Sequence, residues 1–386
     1  MTRAGFVPFA VLALFVASTA AAQSPAGSRG KAAPRPSAAP LDEAVLLTNG
    51  WALLSQGLVD DAYRKAAEIL ARYPRSASAL SFGVEAAIVR GGAANGLAQY
   101  EQWLGSRPLE EPSVLRRVAT AVLQEAAAQR GDEAARLEAL KALAEDGQQA
   151  AVEALEASPL PSNTRTLAAL GNAAAVKDLT GQLEAGNADK ARIVEALGRS
   201  GRRSAASAVA AQATDSRDEV RAAVADALAS LQADSEIDVL KSLLNDSSEF
   251  VRVHAARALF RMGDMSGLSL LQQLASGDAP SGRLVAAEAM STAPDVSWLA
   301  SLRDLTSSSE PDIRVQAARL LAPQDPDTAR RVLESASTDS NIAIREMANR
   351  ALPDVLTDLT ALRRLLHGDD PMAKVQTGAR ILELTR

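Results

Sequence analysis

Arginine recurs through the C-terminal half of this 386-residue chain with a period of 31, at Arg221, Arg252, Arg283, Arg314 and Arg345. Four of the five follow an apolar residue (Val220, Val251, Ile313, Ile344), and an alanine-rich stretch comes after. A guanidinium repeated at this interval either ties each unit to its own turn and its neighbour or offers a row of donors to a partner. Asp215, Asp246 and Asp339, each six residues before an arginine, are carboxylates available for the first role. Five residues after each arginine stands a second charged position: Asp226, Arg257, Glu288, Arg319 and Arg350. One charge per unit sets these in a row along one face, the first four alternating in sign. The row reads either as a solvated ladder of ion pairs, worth about 0 to 1 kcal/mol each, or as a surface that meets a protein partner. On the second reading the three arginines are bidentate donors to the partner's carboxylates.

Residues suited to catalysis are scarce. The chain has no cysteine and two histidines, His254 and His367, neither beside a glutamate. Thiolate nucleophiles, thiolate metal sites and disulfides are therefore excluded. No glycine-flanked serine forms a nucleophile elbow, and Gly91-Gly92 is spaced for neither nucleotide-binding loop. The expectation is a protein that is not an enzyme, with no catalytic residue, no cofactor and no metal.

The elements that carry the charged row follow from its surroundings. Leu240, Leu271, Leu302 and Leu333 keep the same 31-residue step, each 19 residues after an arginine. In the unit from Val251 to Met262, Val251, Ala255, Ala258, Leu259 and Met262 form one apolar stripe at helical spacing, and Arg252, Arg257 and Arg261 lie off it. A helix with one apolar face cannot bury it alone, so the unit is an antiparallel helix pair that must stack on its neighbours. With Arg192 and Arg165 before Arg221, and Lys374 after Arg345, about eight copies occupy 148–386. Gly277 and Gly368 stand where Asp246 predicts aspartate, so those turns are expected to differ. An earlier period of 34 relates Gly57 to Gly91, Leu70 to Leu104 and Pro74 to Pro108, which makes 41–147 a separate helical array. Composition agrees: 47% hydrophobic residues but only 3% aromatics suits helices packed closely through alanine.

These residues carry two family resemblances. The 41–147 segment resembles tetratricopeptide repeats, with Gly50, Ala62 and Ala66 at the small positions and Pro74 past the second helix; Leu46 takes the usual tryptophan position, and Val84 and Gly96 depart in the second copy. That family holds peptides in a concave groove, for which Trp51, Tyr63, Tyr100 and Trp103 are candidate anchors or else interhelix packing. The 148–386 segment resembles HEAT repeats, in the short subclass first noticed in phycobilin lyases. Leu243-Leu244-Asn245-Asp246, Val251-Arg252 and Ala255-Ala256-Arg257-Ala258-Leu259 match its pattern. Together they imply an all-α fold, a right-handed α-solenoid or α-α superhelix of stacked antiparallel helix pairs. HEAT-repeat hydroxylases hold di-iron with paired His-Glu motifs that this chain lacks.

Met1 to Ala22 read as a cleavable leader: Arg3, an apolar run from Phe6 to Val16, and Ala20-Ala21-Ala22 before Gln23. The alternative is a retained anchor, but the run is shorter than the ~20 residues a span needs. Residues 23–40, rich in Pro, Ala and Ser, form a linker. A net charge of −6 argues against nucleic acid as a partner. The expectation is a periplasmic or secreted bacterial scaffold or adaptor that binds a protein partner and has no stable membrane insertion after leader cleavage. The alternatives are a bilin-lyase-like chromophore-handling enzyme and a structural spacer. The last repeat, ending at Ile381-Leu382-Glu383-Leu384, should fray unless something caps it.

Overall fold

The computed structural model describes residues 41–105, 107, 109–186, 189–291 and 297–386. The expected leader, the linker and Pro108 lie outside the described residues. All regular structure among the described residues is helical, in antiparallel pairs. Over 41–147 the pairs are α1 (Leu41–Ser55) with α2 (Val59–Arg72), α3 (Ala77–Gly91) with α4 (Ala93–Leu104), and α5 (Pro112–Ala128) with α6 (Glu133–Glu145). Next come α7 (Gln149–Glu156) with α8 (Pro161–Ala169), α9 (Ala173–Glu184) with α10 (Lys190–Arg199), α11 (Ala206–Ala210) with α12 (Asp218–Ser230), and α13 (Ile237–Leu243) with α14 (Glu249–Arg261). The last four are α15 (Leu268–Ser276) with α16 (Pro280–Met290), α17 (Ser297–Leu305) with α18 (Pro311–Leu321), α19 (Pro326–Ala336) with α20 (Ile342–Val355), and α21 (Leu359–Leu365) with α22 (Pro371–Leu384). The protein is an all-α solenoid, and every periodic arginine lies on the second helix of its pair.

Local chemistry explains where the helices start. Proline opens α5, α8, α16, α18, α19 and α22, where its missing N–H costs nothing. Asn172, Asn341, Asp358 and Asp370 accept hydrogen bonds from the first-turn N–H groups of the helices that follow them. Small residues then set the spacing: a Cβ on Gly198 would stand 2.7 Å from Ala227 Cα, so α10 and α12 meet almost backbone to backbone.

In the first array Gly50 faces the Phe82 ring, where a Cβ would stand 2.5 Å from its Cζ, and Ala62 and Ala66 are buried. The aromatic side chains pack between helices. Trp51 stacks 5.2 Å from Phe82, and Arg90 lies over Tyr63. Tyr100 is buried and donates to Glu110, and Trp103 donates to the Pro74 carbonyl. Trp51 alone of the four stays largely exposed.

The periodic arginines bind a different acceptor from the one expected. Arg221, Arg252, Arg314 and Arg345 each donate from Nη1 to the backbone carbonyl six residues back, at 2.8, 2.8, 2.9 and 2.7 Å. The carboxylate at that position turns toward the preceding unit instead. Asp246 accepts from the Arg221 guanidinium of that unit at 2.7 and 2.8 Å and from the Ser248 N–H. Lys190, not Arg192, makes the equivalent bond to Asp215 at 2.8 Å.

The array closes on itself. Along the second half each second helix touches the next, from α6 through α8, α10, α12, α14, α16, α18 and α20 to α22, and α22 packs against α5 and α6. Ile381 and Leu382 of the final repeat are buried, so the last repeat is capped. A Cβ on Gly378 would stand 3.2 Å from Leu123 Cγ and 3.4 Å from the Ala119 carbonyl. Polar bonds ring this seam. Arg116 donates to the Leu382 carbonyl at 2.7 Å and to Asp146 at 2.5 Å, and Arg386 donates to the Glu145 carbonyl at 3.0 Å. Beside them Arg363 pairs with Glu101 and, at 3.0 Å, with Glu110, while His367 Nε2 lies 3.0 Å from Glu101. Burial raises the Glu101 carboxyl, but the bonds from His367 and Arg363 outweigh it and hold it below the usual range.

Replacing Gly378 by leucine should wedge α22 away from α5, at a cost of about 1 to 3 kcal/mol. Solution scattering should show a larger radius of gyration and calorimetry a lower Tm. The same change at Gly181, which has no neighbour within 4 Å, should leave the radius unchanged.

Candidate functional site

Nine second helices in a closed circuit, packed at ordinary interaxial distances of 8–10 Å, put their axes roughly 12 to 15 Å from the centre. They therefore surround an opening. The first helices touch one another only sporadically, so the second helices form the inner wall. Asp226, Arg257, Glu288, Arg319 and Arg350 lie on α12, α14, α16, α18 and α20, at the positions those helices leave uncovered. The structure thus brings all five onto the inner face.

Their pairing is uneven. Arg257 donates to Asp226 at 2.7 Å and to Glu288 at 3.1 Å, with only 17% of its side chain exposed. His254 Nδ1 sits 2.7 Å from the other Asp226 oxygen, and the Phe250 ring packs on the imidazole at 4.4 Å. Burial works against the Asp226 charge, but the bonds from His254 and Arg257 hold its carboxyl below the ordinary range. This half of the row is an ion-pair ladder centred on Arg257, whose Nε alone is left buried without a partner. Arg350 donates to Asp370 at 2.8 Å, and its guanidinium lies 3.4 Å from Glu346, with 44% of the side chain exposed. Arg319 is exposed and has no hydrogen bond or ion pair among the described residues. Glu288, its neighbour in the row, is already engaged by Arg257.

The structure adds charges that the sequence reading left out. Asp354, one turn beyond Arg350 on α20, lies within electrostatic reach of Arg319, Arg380, Glu383 and Glu138. Glu138 belongs to α6, which like α20 packs against α22, so charges of helices on either side of the seam lie within reach of one another. Asp354 is open to water, yet desolvation raises its carboxyl above the ordinary range and the arginines only partly offset this. The +4 spacing from Arg350 was a signal for Asp354; nothing in the sequence placed Glu138 beside it. No group of three or more His, Asp or Glu side chains positioned to hold a metal occurs among the described residues. Chemically the row supplies charge-assisted hydrogen bonds, with one arginine left open.

Residues 187–259 and 206–291 match the family described as HEAT repeats. Among solved structures, the complex of CpcE and CpcF of phycocyanin lyase from Nostoc sp. PCC7120 is similar at 23% identity, over 64% of this chain and 96% of that one, with a TM-score of 0.35. An engineered protein is similar at 21% identity over 89% of this chain and 98% of its own, with a TM-score of 0.29. No curated protein matches the chain significantly. Among the described residues no helix is long and apolar enough to cross a membrane.

The raised Asp354 carboxyl allows a test by pH. Near about pH 7 it is ionised in both the folded and unfolded chain, but ionisation is harder in the folded one, so the charge destabilises. Asp354→Asn should therefore raise the Tm near about pH 7. The gain should shrink as pH falls and vanish near about pH 3, where the carboxyl is protonated in both states.

Proposed function

With residues 187–291 as HEAT repeats, we propose that this chain is an exported, non-catalytic adaptor that holds an acidic segment of a protein partner against the inner wall at Arg319 and Arg350. The observation that carries the reading is the uneven pairing of the row. Asp226, Arg257 and Glu288 pair with one another, while Arg319 stands exposed with no hydrogen-bonded carboxylate, Asp354 acting on it only at longer range, and Arg350 keeps nearly half its side chain in solvent. An exposed guanidinium with no hydrogen-bonded carboxylate of its own is open to bidentate pairing with a partner's carboxylate. A rigid array of stacked helices also orders little on binding. Export rests on the leader pattern of Met1 to Ala22, and a chain without cysteine is indifferent to an oxidising compartment.

The test is capture from envelope extract by the full chain, with a labelled oligoglutamate as a defined competitor. Each charge-assisted bond to carboxylate contributes about 1.5 to 3 kcal/mol, so Arg319→Glu with Arg350→Glu should weaken oligoglutamate binding by more than about tenfold. The variant should keep its helical circular dichroism and lose the captured protein. Capture that survives both the competitor and the double reversal would remove the acidic-segment reading.

A further inference from the structure

We propose that two copies of this chain associate through the outward face of α1, antiparallel about a two-fold axis at Thr48.

The face is set apart by what it lacks. Residues 44–59 form the longest stretch without a charged side chain among the described residues. The ions that flank it are taken up within the chain: Asp42 pairs with Arg72, Glu43 is buried against Ser76, Asp60 pairs with Arg90 at 2.9 Å, and Asp61 pairs with Arg64. Leu46, Gly50 and Leu53 face the core that α1 shares with α2 and α3. Ala44, Val45, Thr48, Trp51 and Ser55 are left exposed on the opposite side. Val45 is 55% and Trp51 43% exposed. The end unit of a helical array presents a polar outer face to water, and this one presents a valine and an indole.

The order of residues along the face selects the occupant. Val45 and Trp51 stand three residues before and after Thr48, and Ala44 and Ala52 stand four before and after it. At helical spacing these positions fall symmetrically on either side of Thr48. Turning α1 end for end about Thr48 therefore lays Val45 of one copy on Trp51 of the other, and Trp51 on Val45. The small side chains Ala44, Thr48 and Ala52 lie between them, where the two backbones approach. Such self-complementarity is what a two-fold interface requires. An antiparallel pair also sets the positive dipole end of each helix beside the negative end of the other, and no ion on either face repels its copy. A charged partner would find no counter-ion here. Residues 23–40, which precede α1, contain no apolar side chain larger than alanine or proline, so they have nothing with which to cover an indole. A strip about 22 Å long and one helix, about 10 Å, wide falls well below the ~800 Å² per partner of a standard interface. The pairing is accordingly weak, with a dissociation constant in the micromolar range or above.

Sedimentation of the full chain between about 1 and 300 µM should show reversible dimerisation. Thr48 is exposed and its hydroxyl donates only to the Ala44 carbonyl of its own helix, at 2.8 Å, so its replacement leaves the fold undisturbed. Thr48→Glu and Thr48→Lys should each weaken self-association at least about tenfold, because like charges then meet on the axis. An equimolar mixture of the two should associate at least as tightly as the parent. Unchanged helical circular dichroism in both variants makes the loss a property of the interface. A parent chain that stays monomeric at about 300 µM overturns the proposal and leaves the face to a different protein. Self-association untouched by either substitution, or a mixture that fails to recover it, places the contact elsewhere and overturns it as well.

Discussion

The docking of α22 onto α5 and α6 is the interaction on which the rest of the architecture depends. Bringing together groups 266 residues apart, instead of groups one repeat apart, costs about 2 kcal/mol more in chain entropy. Burying a single leucine or isoleucine contributes about 1.5 to 3 kcal/mol, and the seam buries Val375, Ile381 and Leu382 together. Closure therefore wins, helped by the curvature that successive repeats have already imposed. It also buries one of the two ends that a linear solenoid must manage, and among the described residues α1, with Trp51, stands at the other.

Closure changes what the charged row can do. On an open superhelix a ladder of alternating ions is screened and nearly neutral in its effect. On the inner wall of the circuit the same side chains lie beside those of neighbouring helices, and burial raises the Asp354 carboxyl although it remains accessible to water. In such a setting the arithmetic of pairing matters. Arg257 takes Asp226 and Glu288, Asp370 takes Arg350, and Arg319 is left without a directly bonded carboxylate, with Asp354 only within electrostatic reach.

Much of this was legible in the chain. The 31-residue step was visible because alanine-rich second helices tolerate little variation at close approach, as Gly198 against Ala227 shows. The charged row was legible for the same reason: one exposed position per repeat stays in register. The acceptor of the periodic arginine was not, because a carbonyl belongs to every residue and leaves no mark in the sequence, whereas the aspartate at the same position drew attention to itself. Closure was invisible too. Arg116, Glu101, Arg363 and His367 occupy no repeated position, and period analysis sees only what recurs.

Departures from the repeat therefore carry information that the repeat itself does not. Gly277 reads in the sequence as an eroded turn, yet its backbone conformation is open to any residue, so the loss of aspartate there is not a demand of the turn. What the glycine removes is the carboxylate that Asp246 offers to Arg221 of the preceding unit. The carboxylate alone does not make that bond: Asp339 stands 25 residues after Arg314, yet Arg314 donates only to the Ser308 and Ser309 carbonyls of its own turn.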